Sequence, residues 1–301
     1  MAKQARQVGG RVVAITGGAR GIGKATAKAL AGRGAKIAIG DLDTELAESA
    51  ARELGGDAVG LELDVTSRSS FEAFIAAVEE RLGPLDVLIN NAGIMPIGPF
   101  DEESDATAHR MIDINLHGVL YGMKIAMPSM KRRGDGHIVN IASQAGKAGF
   151  PGGATYCATK HAVVGVSEAV RAELRDTGVE VSCVMPAVVN TELGSGLVET
   201  RAVKKIEPEQ VAEAILAALE RPKFDVHVPP SAGVIGKVIA VLPRGAREGV
   251  ARALKADKVL AEPDKAKRAA YEERAARSEP GLEPEKVEAA GEEKELETTV
   301  S

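Results

Sequence analysis

Tyr156 and Lys160 close the pentapeptide Tyr156-Cys157-Ala158-Thr159-Lys160, a spacing that puts a phenol and an ammonium on one face of a helix. A phenol at its ordinary pKa of about 10 is a poor proton shuttle near neutral pH, and a neighbouring cation is the simplest means of lowering it. At ~4 Å and an effective dielectric of ~20, one positive charge is worth on the order of 4 kcal/mol, or up to about three pK units, with desolvation opposing part of it. Tyr156 so adjusted can exchange a proton with an alcohol or carbonyl oxygen, and Ser143, just after Ile138-Val139-Asn140-Ile141-Ala142, can hold that oxygen by a hydrogen bond. The same pentapeptide also describes an ordinary half-buried ring beside a snorkelling lysine, so the reading depends on what else the chain supplies.

The N-terminal region supplies it. Val12-Val13-Ala14-Ile15-Thr16 is a β-branched run, followed by Gly17-Gly18-Ala19-Arg20-Gly21-Ile22-Gly23 and an alanine-rich helical stretch from Lys24 to Gly32. Strand, glycine turn and helix in that order make a pyrophosphate cradle. Gly17 allows the sharp turn, Gly21 lets backbone approach a ligand, Gly23 permits close helix-to-strand contact, and the helix N-terminus offers N–H donors. The second strand, Ala35 to Gly40, delivers Asp41 at its C-terminal end. A carboxylate there accepts from both hydroxyls of an adenosine ribose and repels a 2′-phosphate, which argues for NAD over NADP. Arg20 is the counter-signal: it can meet a 2′-phosphate, stack on adenine or pair with Asp41.

Further strands are expected at Ala58 to Leu63 before Asp64-Val65, Leu85 to Ile89 before Asn90-Asn91-Ala92-Gly93, His137 to Ala142 before Ser143, and Val179 to Met185 before Pro186. Helical patterns run between them from Ser67 to Arg81, Asp105 to Arg132, Ala154 to Asp176 and Pro208 to Glu220, the second containing Asn115. The alternation predicts an α/β fold, a doubly wound parallel sheet in three layers, with every candidate residue at the strand C-terminal edge or in the next helix.

With these residues in place the chain resembles a short-chain dehydrogenase/reductase, from residue 11 to about 228. The resemblance implies a Rossmann-fold oxidoreductase using NAD or NADP. It implies Tyr156 as acid and base, Ser143 as orienter of the reacting oxygen, Lys160 on the nicotinamide ribose, and Asn115 in a water-linked proton path. By the same resemblance the cofactor is held by Gly17, Arg20, Gly21, Ile22, Gly23, Asp41, Asp64, Val65, Asn91, Ala92 and Gly93. Pro186, Val189 and Thr191 lie on the loop after the sixth strand, where Pro186-Ala187 stands in place of the family's Pro-Gly. Met95-Pro96-Ile97, Ala145 to Phe150 and Glu192 to Lys205 would border the substrate. The family also implies a homodimer or homotetramer formed by the helices through Asn115 and Tyr156.

The chain departs from the family by running on for some seventy residues. A turn or extended piece is expected at Val228-Pro229-Pro230-Ser231. The apolar decapeptide Gly233 to Leu242 is far short of the roughly 20 residues that span a bilayer. Residues 244–258 carry Arg244, Arg247, Arg252, Lys255 and Lys258 against Glu248 and Asp257, with Val250, Ala251, Leu254 and Val259 as apolar partners. Such a segment covers a cleft, packs on a partner or touches a membrane surface, so 233–258 is the candidate for peripheral membrane contact. The expected organisation is an arm over 1–10, a catalytic unit over 11–228, a helical extension over 229–277 and an acidic disordered tail over 278–301.

A formal net charge of −5, with most basic residues interleaved among acids, gives no reason to expect a nucleic-acid partner. Five histidines without ligand spacing give no support for a metal. Two cysteines, Cys157 and Cys183, and a polar N-terminus without a signal sequence point to a reducing, cytoplasmic setting. The expected function is interconversion of a secondary alcohol and a ketone, the apolar extension indicating a lipophilic substrate. An NADPH-dependent carbonyl reductase and a non-catalytic NAD(H)-binding scaffold are the rivals.

Overall fold

The computed structural model describes residues 5–200 and 203–276. The acidic run expected from Ser278 onward lies outside the described residues. Seven strands form one all-parallel sheet: β1 (Val12–Thr16), β2 (Lys36–Asp41), β3 (Val59–Glu62), β4 (Val87–Asn90), β5 (Gly136–Ile141), β6 (Val179–Pro186) and β7 (Asp225–Val228). Their spatial order is β3-β2-β1-β4-β5-β6-β7. β1, β4 and β5 are buried at every position, which is why they read as continuous apolar runs rather than alternating ones.

Helices cover both faces, each over its own core. One face holds α1 (Gly21–Ala31), α2 (Thr44–Leu54) and α7 (Pro208–Glu220), around Leu30, Ile39 and Ile215. The other holds α3 (Arg68–Leu82), α5 (Gly118–Arg133) and α6 (Ala154–Glu173), around Phe71, Met123 and Val163. Winding outward from β1 in both directions opens a crevice at the C-terminal ends of β1 and β4, where the strand order reverses.

Three elements differ from the sequence expectation. α2 was not anticipated; its Asp43 cap accepts from Leu46 N at 3.0 Å, while alanines supply the buried face in place of large apolar residues. The single helix expected from Asp105 to Arg132 is α4 (Asp105–Ile112), a π-helical turn at Asp113–His117 and α5. The turn reorients the residues after it, and Asn115 sits inside it, fully buried. Pro230 does not extend the chain after β7 but opens α8 (Pro230–Ala240), as a proline at the first helical position can.

α9 (Arg244–Ala253), α10 (Lys258–Ala261) and α11 (Lys265–Ala276) complete the extension. α9 has no buried residue, whereas Val259 and Leu260 of α10 and Tyr271 of α11 join the core beneath β5 and α6. Val259 is therefore a core residue and not part of the exposed basic segment.

Candidate active site

Tyr156 lies in the first turns of α6 and Ser143 just past β5; both face one cavity, and the Ser143 hydroxyl favours the ionised form of the phenol. The helix is keyed to the sheet by a buried polar ladder: Asn90 Nδ2 of β4 donates to Asn140 Oδ1 of β5 at 2.8 Å, and Asn140 Nδ2 donates to Ser167 Oγ of α6 at 2.9 Å. Buried amides tied in this way fix the register of α6 against β5, and hence the distance between Tyr156 and Ser143. Ser143 Oγ also accepts from Ala145 N at 3.1 Å, which holds its rotamer.

Lys160 behaves differently from the sequence expectation. Its Nζ donates to Ile141 O at 2.9 Å and stands 5.7 Å from the centre of the Tyr156 ring. Burial pulls the ammonium down to about 8. Burial also pushes the Tyr156 phenol up to about 12, against the Ser143 hydroxyl and the Arg268 charge that draw it back. Desolvation of both groups thus outweighs the helix-face pairing, because the ammonium is directed at a backbone carbonyl.

Asn115 clamps the loop after β4. Its Oδ1 accepts from Ile94 N at 2.8 Å, and its Nδ2 donates to Ile94 O at 2.9 Å and Thr159 Oγ1 at 3.2 Å. It does not line the cavity; Gly93 does, and a Cβ added there would stand 3.1 Å from Asn115 Oδ1 and 3.6 Å from Lys160 Nζ. Gly93 therefore leaves open a small cradle faced by an amide and an ammonium.

At the other end of the crevice, Gly17 has φ +60° and Gly21 φ +51°, conformations that favour glycine. Gly23 does not line the cavity either. A Cβ on it would lie 2.5 Å from Gly17 O and 2.7 Å from Asn91 Nδ2, so it is needed for the turn to close on α1. Asn91 Nδ2 donates to Thr16 O and Gly17 O, both at 2.9 Å, and so binds the β4 loop to the glycine turn. α1 has no capping side chain and no acid in its first turn. That leaves its N-terminal N–H groups suited to an anion.

Asp41 ends β2 with Oδ2 accepting from Ala19 N and Oδ1 from Asp43 N, each at 3.3 Å. Burial raises its pKa, against those two backbone bonds and the Arg20 charge. Arg20 pairs with Asp43 at 3.1 Å and Glu192 at 3.7 Å rather than with Asp41. Asp64 Oδ1 accepts from Thr66 N at 2.9 Å and Thr66 Oγ1 at 2.7 Å, which holds the Val65 turn. After β6, Ala187 N donates to Val228 O at 2.8 Å and Val189 bridges Ile206, so the loop bearing Val189 and Thr191 is strapped to the sheet end without the family's glycine.

One cavity of about 1920 Å³ joins these groups. It is lined by Gly17, Arg20, Gly21, Ile22, Asp41, Asp64, Val65, Asn91, Ala92 and Gly93, and also by Ser143, Tyr156, Lys160, Pro186, Val189 and Thr191. It continues past Met95, Phe150 and Leu197 to Ile235 and Ile239 of α8 and Val250 of α9. Single-ligand pockets run to roughly 300–1,000 Å³, so this one has room for a dinucleotide and a second molecule. The glycine turn, the uncapped helix, the Asp41 carboxylate and the Gly93 cradle fit such a dinucleotide. Tyr271 of α11, which lines the cavity, and Arg268, whose guanidinium lies over the Tyr271 ring, carry no signal in the sequence that marks them as site residues.

A family model for short chain dehydrogenase matches residues 11–202. A 2,5-dichloro-2,5-cyclohexadiene-1,4-diol dehydrogenase of Sphingobium indicum is 42% identical over 192 residues, covering 63% of this chain and 77% of that protein. An uncharacterised oxidoreductase of Staphylococcus saprophyticus is 35% identical over 224 residues, covering 71% of this chain and 91% of that protein. Among solved structures, a short chain dehydrogenase/reductase from Burkholderia phymatum in complex with NAD is similar at a TM-score of 0.71 and 27% identity, covering 77% of this chain and 93% of that one. The 3-ketoacyl-(acyl-carrier-protein) reductase of Brucella melitensis complexed with NADH has a TM-score of 0.67 and 28% identity, covering 73% of this chain and 98% of that one. The all-parallel sheet, the crevice at its switch point and these similarities agree: the chain belongs to the short-chain dehydrogenase/reductase family of Rossmann-fold oxidoreductases.

Proposed function

We propose that this protein is an NAD-preferring dehydrogenase or reductase that interconverts a lipophilic secondary alcohol and its ketone. The observation that carries the reading is the placement of Tyr156, Ser143 and Lys160 together in a largely apolar cavity that runs unbroken to the glycine turn. Tyr156 is the acid and base: it takes the hydroxyl proton on oxidation and returns one to the carbonyl oxygen on reduction. Ser143, held by Ala145 N, orients that oxygen with its second hydrogen-bonding capacity. Bound NAD supplies the hydride acceptor, and NADH the hydride donor. Lys160 and the open space at Gly93 hold the nicotinamide ribose, Asn115 keeps the Ile94 loop in position beside it, and Asp41 selects an unphosphorylated adenosine ribose.

The preference for NAD is supported by the Asp41 carboxylate, which lines the cavity at the end of β2, and by the engagement of Arg20 with Asp43 and Glu192, which leaves its charge balanced by two acids. Similarity to structures holding NAD and NADH points the same way. A lipophilic substrate is supported by Ile235, Ile239, Val250 and Leu254, which line the far part of the cavity beside the charged side chains of α8 and α9. Val234, Val238 and Val241 are 65%, 59% and 81% exposed, and Lys237, Arg244, Arg247 and Arg252 stand along the same two helices. An apolar face flanked by cations suits an anionic lipid surface, from which a greasy alcohol could enter. No helix among the described residues is long and apolar enough to cross a membrane. We place the protein in a reducing compartment, in keeping with two free, buried thiols, and as a homodimer or homotetramer through α5 and α6. A panel of secondary alcohols assayed with NAD and with NADP tests the reading. Turnover with NAD, favouring bulky apolar members, is expected, and binding of NAD without turnover of any member would favour the scaffold reading.

A further inference from the structure

Arg268 is 2% exposed, the largest fully buried side chain among the described residues, and it belongs to the C-terminal extension. A buried guanidinium is tolerated only when its donors are satisfied, and here they are distributed over two loops. Nη1 donates to Leu193 O and Ser195 O, both at 2.9 Å, on the loop after β6. Nη2 donates to Met95 O on the loop after β4, and Nε donates to Glu272 Oε1 at 2.5 Å. The guanidinium also lies over the Tyr271 ring, 4.7 Å from its centre. Tyr271 in turn accepts from Met95 N at 2.6 Å, so α11 holds both backbone groups of Met95.

The approach to α11 is fixed as tightly. Asp264 N donates to Gly196 O at 2.8 Å. A Cβ at Gly152 would lie 2.7 Å from Leu260 O, and one at Gly196 would lie 2.6 Å from Asp264 O, so the chain passes closely, at glycines, over the loop before α6 and the loop after β6. Tyr271, Met95, Leu193 and Leu197 line the cavity together with Tyr156. A helix needed only to bury apolar surface would have no use for a cation that joins three carbonyls of two separate cavity walls.

We propose that Arg268 and Tyr271 are positioning residues of the site, clamping the Met95 and Leu193–Leu197 loops so that α11 sets the width of the substrate end of the cavity and thereby its specificity. This rests on the dehydrogenase reading of the site. Ser143, Cys157, Lys160, Arg268 and Tyr271 are the titratable or polar groups that face Tyr156, and of these Arg268 contributes a positive charge that favours the phenolate.

The test uses the full chain with Arg268→Met, Arg268→Lys and Tyr271→Phe, read by amide hydrogen exchange, by NAD titration and by kinetics on a compact and a bulky secondary alcohol. Tyr271→Phe is expected to speed exchange at Met95 by about 10-fold or more. Arg268→Met is expected to speed exchange at both loops and to lower kcat on the compact alcohol by on the order of 10- to 100-fold. The bulky alcohol should be affected less, and NAD affinity should stay within about threefold of wild type. The ascending limb of the pH–rate profile for alcohol oxidation, set by loss of the Tyr156 proton, should move to higher pH in Arg268→Met and stay in place in Arg268→Lys, which keeps the charge. Faster exchange with an unchanged ratio of bulky to compact turnover, and an unmoved pH limb, would make α11 a structural brace and overturn the proposal. Should Arg268→Met fail to fold, Tyr271→Phe, which removes one hydroxyl, decides by the same exchange and the same ratio. A wild type that turns over no alcohol in the panel overturns the dehydrogenase reading instead. The clamp is then judged on exchange: acceleration confined to the two loops supports it, and unchanged exchange refutes it.

Discussion

Lys160→Met is expected to make the protein more stable near neutral pH while removing its activity. The ammonium is buried, with a pKa lowered to about 8 from 10.5. The unfolded chain therefore binds more protons than the folded one between those values, and the wild type gains stability as pH rises through that window. At about 1.36 kcal/mol per unit, the shift corresponds to a destabilisation of ~3 kcal/mol near pH 7. Methionine keeps the length and most of the volume, so little cavity is made, but it leaves Ile141 O without its donor, which costs about 1–2 kcal/mol. The net expectation is a variant about 1–2 kcal/mol more stable than wild type near pH 7. Near pH 10 most of the wild-type penalty is gone, so the difference should shrink by about 2.5 kcal/mol and change sign. Urea unfolding of both proteins at the two pH values, at one fixed protein concentration, measures this. A difference between wild type and variant that does not change with pH would refute the reasoning, because it would mean that Lys160 carries no desolvation penalty in the folded state.

Asp41→Ala should narrow the preference for NAD over NADP by about 10-fold or more, read by fluorescence titration with each dinucleotide, since it removes the carboxylate that repels a 2′-phosphate. A wild type that prefers NADP would transfer that role to Arg20. Binding to vesicles containing phosphatidylserine should be measurable by co-sedimentation at low salt and weaken at high salt, and Val234→Asp with Val238→Asp should abolish it. Equal binding by that double variant would remove the α8 face from the account. Light scattering at micromolar concentration should give a mass of two or four chains; a mass of one chain would contradict pairing through α5 and α6.

The glycine turn, Asp41, Ser143 and the Tyr156 helix were legible because each is announced locally, by an apolar run that ends in a glycine, an acid or a hydroxyl at the sheet edge. The doubly wound parallel sheet followed from the regular alternation of apolar runs with helical patterns, whereas the spatial order of its strands is set by the fold. The electrostatics of Tyr156 and Lys160 were not legible. Spacing puts both side chains on one helix face, but the ammonium is directed at Ile141 O by β5, and the depth of burial that raises the phenol is set by elements far along the chain. The π-helical turn around Asn115 carries no proline or glycine of its own to signal it. Arg268 and Tyr271 were invisible for a similar reason. In Lys265–Ala276 they read as members of a charged surface helix, and only contacts 173 and 176 residues distant, at Met95, reveal them as interior groups. The exposed face of α8 was visible as an apolar decapeptide, but its continuity with the catalytic cavity required the fold.

The central claim is that Tyr156 moves the proton at the alcohol oxygen with Ser143 beside it. Tyr156→Phe removes only the phenolic hydroxyl from a buried ring, so the fold and NAD affinity should persist. Steady-state turnover of the best alcohol found with NAD should fall by about 10² or more, the scale of a lost general acid and base. Full turnover by a folded, NAD-binding Tyr156→Phe protein would contradict the account.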